Sequence, residues 1–272
     1  MKKHTVVTSL IASAVVLSAS NALADSAATI FASPSGTAVT YDNASGAYPV
    51  VTAILSRQGY VSGTHTYSST SFLAQDSTGS LDLFGLNETA TGYSPNVGDA
   101  VFAQGTYSPF HQIPEIGSLV NIVHVANAAA PGPLVTTIPA LNVATTPQSL
   151  AGHLLELDNV LITGAGAGGF FPTYAQASIA TETFTITDTS LNSMVFFDWV
   201  TSYSTAAAFG DMGMAVPTGR VNMIGFVSVN PGTVPTPEFT AIAITSVPEP
   251  ATLALCGLGG LLLAGYRQRR KA

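Results

Sequence analysis

The sequence predicts an all-β protein whose core is two tandem modules, flanked by an N-terminal signal helix and a C-terminal short transmembrane helix. Three observations carry this. Apolar runs rich in Val, Thr, Ile and Phe alternate with clusters of Gly, Pro, Asn and Asp, which is the punctuation of strands. Only Ser202 to Phe209, around Ala206-Ala207-Ala208, reads as helix in the core. A set of landmarks also recurs in one order in the two halves, as a duplicated module requires.

In chain order, Tyr48–Leu55, Ser71–Gln75, Leu81–Leu86, Ala100–Tyr107 and Leu119–Val125 are predicted as strands of the first half. His153–Thr163, Thr183–Thr187, Ser193–Val200, Arg220–Val229 and Phe239–Thr245 follow in the second. Between them, Ala128-Ala129-Ala130-Pro131-Gly132-Pro133 suits neither a helix nor a ladder, because proline lacks the backbone donor that both need. The expected modules are therefore 25–133 and 134–246. The hairpin Phe72 to Phe84 parallels Phe184 to Phe196 with a one-residue insertion, and Asp76 and Asp188 open the two turns. Gly98–Gly105 matches Gly219–Gly225, and Pro114-Glu115-Ile116 matches Pro237-Glu238-Phe239. A single β-sandwich of about ten strands is the competing all-β architecture.

The ends carry processing signals. Lys2 and Lys3, an apolar run from Val6 to Leu17 and the triplet Ala22-Leu23-Ala24 have the order of a secretory signal peptide spanning 1–24, with cleavage expected between Ala24 and Asp25. At the other end, Val247-Pro248-Glu249-Pro250 leads into an apolar stretch from Leu253 to Tyr266, then Arg267, Arg269, Arg270 and Lys271. Basic residues beyond an apolar segment remain cytoplasmic, and the segment is short beside the ~20 residues of a comfortable span. The Val-Pro-Glu-Pro motif, short helix and basic cluster of 247–272 resemble the PEP-CTERM sorting signal. The resemblance implies an exosortase-type membrane protease as partner, transient inner-membrane anchoring, removal of the tail, and delivery to the cell surface or the exopolysaccharide matrix. A permanent tail anchor is the alternative.

Between Asp25 and Ser246 the only basic residues are Arg57 and Arg220, against fourteen acidic ones, a net charge of 2 − 14 = −12. The whole chain stands at −7 because six of its eight Lys and Arg lie in the end segments. A nucleic-acid groove gathers Lys and Arg to displace counterions from phosphate, so no nucleic-acid partner is expected. The single cysteine, Cys256, lies in the apolar tail. The core is therefore without thiol chemistry, cysteine-ligated zinc or disulfides.

A strand, a hairpin with Asp at its turn, a Gly-led strand ending in Gly, and a Pro-Glu loop resemble the small OB-fold modules of bacterial secreted proteins, some of which stand beside nucleases. The resemblance implies two tandem OB-like β-barrels, with Ser202–Phe209 as the helix between third and fourth strands. In the first half the matching segment Asn87–Pro95 is short and polar. OB ligand faces use the second and third strands and the flanking loops. In the first module one such loop holds Tyr107, Phe110 and His111, aromatic groups without a cation, which suit neutral sugars better than phosphates. Phe110 as a cap of the barrel core is the equal alternative.

Nothing in the core reads as catalytic. His111 and Glu115 are four apart but in a loop with Pro114; His153 and Asp158 fall on opposite faces of a strand; His65 and His124 stand alone. No G-x-S-x-G elbow occurs, and Gly164–Gly169 lacks the Lys of a phosphate cradle. No cofactor and no assigned metal follow, although Asp76, Gly79 and Asp82 match part of a calcium-loop pattern. The expected function is that of an exported, non-enzymatic binding or structural protein whose partner is a surface polymer such as exopolysaccharide. The alternative is an accessory module of a secreted nuclease or other hydrolase.

Overall fold

The computed structural model describes residues 25–62, 65–110, 112–142, 150, 152–164, 171, 183–197, 215–230 and 236–247. The first half supplies α1 (Ala27–Phe31), β1 (Ala38–Tyr41), β2 (Val50–Ser56), a small hairpin β3 (Val61–Ser62) and β4 (His65–Thr66), β5 (Thr70–Gln75), β6 (Ser80–Leu86), α2 (Glu88–Thr91), β7 (Asp99–Tyr107) and β8 (Glu115–Asn127). Its sheet runs β1-β7-β2-β5-β6-β8 and closes because β8 returns to pair with β7. β6 and β8 are parallel while the other ladders of this ring are antiparallel.

The second half supplies β9 (Leu134–Thr136), α3 (Ile138–Leu141), β10 (Leu155–Thr163), β11 (Thr183–Thr187), β12 (Ser193–Phe197), β13 (Val221–Asn230) and β14 (Thr236–Ser246). The order β11-β12-β14-β13-β10 closes through β10–β11, with β12 and β14 parallel. Leaving aside the flanking β1 and β9, both rings read first, second, third, fifth, fourth and back to first. That is the closed five-stranded Greek-key order of an OB barrel. The core is thus two barrels and not one sandwich.

The repeat holds at the level of register. Leu83 faces Phe72 and Ile116 in the first barrel as Phe196 faces Phe184 and Phe239 in the second. The two Pro-Glu landmarks open the two final strands, with Glu115 opposite Asp82 and Glu238 opposite Val195. Gly105 and Gly225 mark the point where the fourth strand bends across the fifth. A Cβ on Gly105 would stand 2.6 Å from Ile116 Cγ2, and one on Gly225 would overlap the Thr240 carbonyl oxygen. Only glycine lets the backbones approach so closely.

Each barrel fills with its own side chains. Val51, Ile54, Phe72, Ala74, Leu81, Leu83, Val101, Ala103 and Ile116 form the first core, with Ala27 and Ile30 of α1 plugging it. Leu155, Leu157, Val160, Phe184, Ile186, Phe196, Val221, Met223, Val227 and Phe239 form the second. Residues i and i+2 share a face of a strand, which explains the alternation in β7 and β10. In β2 both faces are buried: a third cluster joins Ala53, Leu55, Leu73 and Ile113 to Leu154 and Phe226 of the second half. The barrels therefore pack together through the outer face of the first. At this seam Gly152, with φ +75°, lies so close to β6 that a Cβ would sit 3.2 Å from the Ser80 carbonyl oxygen.

The predicted strands match closely in the hairpins, whereas β1, β9 and α1 were not expected, and β8 starts four residues before the predicted Leu119. α1 is short and is held by tertiary contacts and by Ser26, whose Oγ accepts from Thr29 N. α2 forms after all from the polar segment Asn87–Pro95, with Asn87 Oδ1 accepting from Ala90 N and Gly92 ending the turn at φ +69°. The signal segment, the Ser202–Phe209 helix and the tail beyond Val247 lie outside the described residues. Among the described residues no helix is long and apolar enough to cross a membrane.

Candidate functional site

The loop from β7 to β8 was the expected ligand loop, and the structure divides its residues. Tyr107 is 4% exposed and belongs to the first core, a correction to its expected role as a platform: in β7 it alternates in phase with Ala103 and so points into the barrel. Phe110 is 53% exposed and therefore does not cap the core. Its N–H and C=O exchange bonds with Ile113, which closes the loop as a tight bridge. Ile113 in turn is buried in the seam between barrels. His111 lies outside the described residues.

Beside this loop is an open cleft of about 510 Å³ lined by Phe84, Gly85, Thr106, Ser108, Glu115, Gly117 and Ser118. Three strands build it: the end of β6, the end of β7 and the start of β8. Phe84 is 46% exposed. Ser118 adopts a left-handed backbone, φ 48°, and Ser108 N donates to the Glu115 carbonyl at 2.8 Å, so loop and strand hold the rim together. Phe84 escaped the sequence reading. The signal was the alternation in β6, where Leu81 and Leu83 face the core and so leave Ser80, Asp82 and Phe84 on the outer face.

Glu115 joins the cleft to a buried acid. Asp82 and Glu115 are direct neighbours on the parallel pair β6–β8, and Asp82 is 4% exposed. Its Oδ1 has no hydrogen-bond partner. Burial, reinforced by the nearby charge of Glu115, holds the Asp82 carboxyl well above the usual carboxylate range, and burial pushes Glu115 up to about 7. A carboxyl removed from water resists ionisation because its charged form loses hydration.

The other candidates separate. Asp76 commits both oxygens to its turn: Oδ1 accepts from Thr78 N and Thr78 Oγ1, both at 2.7 Å, and from Gly79 N at 3.0 Å, while Oδ2 accepts from Ala27 N at 2.9 Å. Turn formation thus accounts for Asp76, and it ties α1 to the hairpin. His124 does not stand alone as expected; its Nε2 lies 3.6 Å from Asp99 Oδ1 and its ring stacks on Tyr93. Asp99 also accepts from Tyr93 Oη at 2.8 Å and Asn96 N at 2.9 Å, a network that locks the turn into β7. His153 sits in the turn before β10, and burial holds its imidazole below the ordinary value against the pull of Asp76. Glu156 is half-buried on β10 and Asp158 is exposed. Among the described residues no three metal-ligating side chains gather.

Arg57 reaches Ser94 Oγ at 2.5 Å, the Pro95 carbonyl at 2.7 Å and Glu88 Oε1 at 3.4 Å. Arg220 donates to the Asn159 carbonyl at 2.6 Å. The two cations of the core are thus engaged in fixing loops, on different barrels.

Residues 246–271 match the family described as the PEP-CTERM protein-sorting motif. No characterised protein sequence is similar to the chain at a significant level. Among solved structures, the chain is similar to a murine DNA-binding protein bound with double-stranded DNA, at 14% identity and TM-score 0.36, over 73% of this chain and 99% of that one. It is also similar to the Ifi202 HINa domain in complex with 20-bp double-stranded DNA, at 10% identity and TM-score 0.36, over 78% and 98% of the two chains. Replication protein A bound to single-stranded DNA follows at 8% identity and TM-score 0.26, over 88% and 71%. Likenesses this distant say nothing of what the chain binds, and the barrel architecture rests on strand order. The motif at the C-terminus makes the chain the carrier of an exosortase-type export signal.

Proposed function

We propose that the chain is a cell-surface or extracellular-matrix protein, processed by an exosortase-type protease, whose two-barrel core is a non-enzymatic module holding a neutral polymer such as exopolysaccharide. The observation that carries the binding reading is the cleft beside Phe84: an exposed aromatic ring, the hydroxyls of Thr106, Ser108 and Ser118, and one carboxyl that burial raises to about 7, so that it is partly protonated near neutrality. Flat apolar rings stack on sugar faces, and hydroxyl and carboxyl groups exchange hydrogen bonds with sugar hydroxyls. The charge of −12 between Asp25 and Ser246 repels anionic polymers, whose binding needs clustered Lys and Arg.

The test uses the exported, processed protein on arrays of neutral and anionic glycans, with labelled single-stranded oligonucleotides at low salt in parallel. Retention of neutral glycans, weakened about tenfold by Phe84→Ala, and no oligonucleotide binding is the expected result; tenfold corresponds to ~1.4 kcal/mol, within the range of one aromatic contact. Oligonucleotide binding that falls steeply with salt, or glycan binding indifferent to Phe84→Ala, overturns the cleft assignment. Intact mass of the same material is expected to lack Arg267 to Lys271.

A further inference from the structure

The outer face of the first barrel carries one continuous row across four strands. Ala53 pairs with Leu73, Leu73 with Asp82, and Asp82 with Glu115. Cross-strand partners project on the same face, so the row runs from apolar to acidic. Its apolar end lies under Leu154 and Phe226 of the second half. Next in line is Asp82, fully enclosed, with Oδ1 unpartnered. Gln75, two residues along β5 from Leu73 and hence on the same face, also has a buried unpartnered oxygen, Oε1. Two buried acceptors without a donor mark a place where a proton on the carboxyl is favourable and a negative charge costly.

We propose that Asp82 and Glu115 form a proton-operated latch on the seam between the barrels, which holds the seam tightest in mildly acidic surroundings and weakens it as the two acids ionise. The inference stands without the polymer reading.

Among the described residues, the groups around the pair offer no cation to offset ionisation. β5 contributes Leu73 and Gln75, and β2 contributes Ala53. The loop before β8 contributes Ile113 and Pro114, whose carbonyl accepts from Asp82 N at 2.9 Å; its His111 lies outside the described residues. From the second half come Leu154 and Phe226, with partly buried Ile224 and Ile242. Glu156 pairs with Ile224 and so shares the face that packs on the seam, adding a third carboxyl. Asp76 is saturated by its turn, and His153 lies toward Gly79, with burial disfavouring its charge. Arg57 and Arg220 are held by other partners. Ionisation therefore adds like charges to an apolar joint.

The direction follows from proton linkage. Both carboxyls hold their protons more tightly folded than unfolded. Unfolding consequently releases protons above the ordinary carboxylate range. The stabilisation is full below that range and is lost as pH rises through the folded value, about 7 for Glu115.

Urea unfolding of the exported, processed protein between pH 5 and pH 8.5 tests this. For each proton released, the folding equilibrium constant is expected to fall by up to about tenfold per pH unit. Asp82→Asn keeps the shape of the protonated acid and cannot ionise, so it is expected to flatten most of this slope. If Asp82→Asn does not fold, Glu115→Gln at the cleft edge is expected to remove the part of the slope that lies between the ordinary carboxylate range and about pH 7. Infrared difference spectra give a direct second readout: protonated-carboxyl absorption at pH 6 that loses the Asp82 contribution in Asp82→Asn, or the Glu115 contribution in Glu115→Gln where that variant replaces it. An unchanged slope in the variant, or no such band, overturns the latch. So does restoration of stability at pH 8 by millimolar calcium in the parent but not in the variant, which would make the pair a cation site.

Discussion

The two barrels share a fold and a register but differ in what their outer faces carry. The row Ala53–Leu73–Asp82–Glu115 of the first corresponds position by position to Thr163–Thr185–Val195–Glu238 of the second. In the first, Ala53 and Leu73 lie under another barrel. In the second, Thr163 and Thr185 are exposed, and Thr163 Oγ1 simply donates to the Thr185 carbonyl at 3.3 Å. One duplicated scaffold thus covers Ala53 and Leu73 with its twin and leaves the equivalent Thr163 and Thr185 to solvent, while Glu238 at the far end of the second row is buried. The inward residues maintain the barrel, while the outward residues of the same strands decide what each barrel meets.

The sharpest way to break this contrast is truncation at matched positions. Leu73→Ala is expected to cost about 2–5 kcal/mol, because a fully buried side chain leaves a cavity that the seam cannot close. Thr185→Ala, its counterpart, is expected to stay within about 0.5 kcal/mol. Thermal melts of the two variants measure the difference. Equal costs would mean that the second face is covered as well.

The next effect tests what the barrels share. Gly105→Ala and Gly225→Ala each force a methyl into a backbone crossing and are expected to cost about 1–3 kcal/mol by overpacking. Urea midpoints that shift for one and not the other would show that the two crossings are not equivalent.

The smallest effect separates the two turns. Asp76→Ala removes acceptors for three backbone N–H groups in a buried turn, and a loss of about 1–3 kcal/mol is expected where such donors are orphaned. Asp188 opens the equivalent turn and accepts from Ser190 N, Asn192 N and Asn192 Nδ2; the Asn192 side-chain bond leads in holding its carboxyl below the usual range. This turn is open to water, so Asp188→Ala is expected to cost less than Asp76→Ala. Hydrogen exchange at Gly79 and Asn192 reports the two turns separately.

The secondary structure was legible where local chemistry decides it. The hairpins announced themselves through Asp76 and Asp188, the final strands through Pro114 and Pro237, and the duplication through three landmarks that all recur in the ladders. β1, β9 and α1 were not legible, because their strands pair at the margin of a sheet and their helix owes its place to burial of Ala27 and Ile30. At the site, Phe110 is exposed as a ligand loop requires, yet Tyr107, three residues before it, is core. The loop composition could not separate them, since strand phase within β7 assigns the side.

From the sequence alone came the all-β class, the two modules, the C-terminal sorting motif and the acidic field. These follow from local periodicity, turn chemistry and charge counts, which need no knowledge of distant partners. Only the tertiary structure decided that the barrels pack together, that Asp82 is enclosed beside Glu115, and that Phe84 stands at an open cleft. Those properties depend on which outer face is covered, and burial is set by residues far apart in the chain: Leu154 and Phe226 lie 81 and 153 positions beyond Leu73. A carboxylate in a strand reads the same in sequence whether water or another barrel lies over it, and the desolvation that distinguishes the two is a property of the fold.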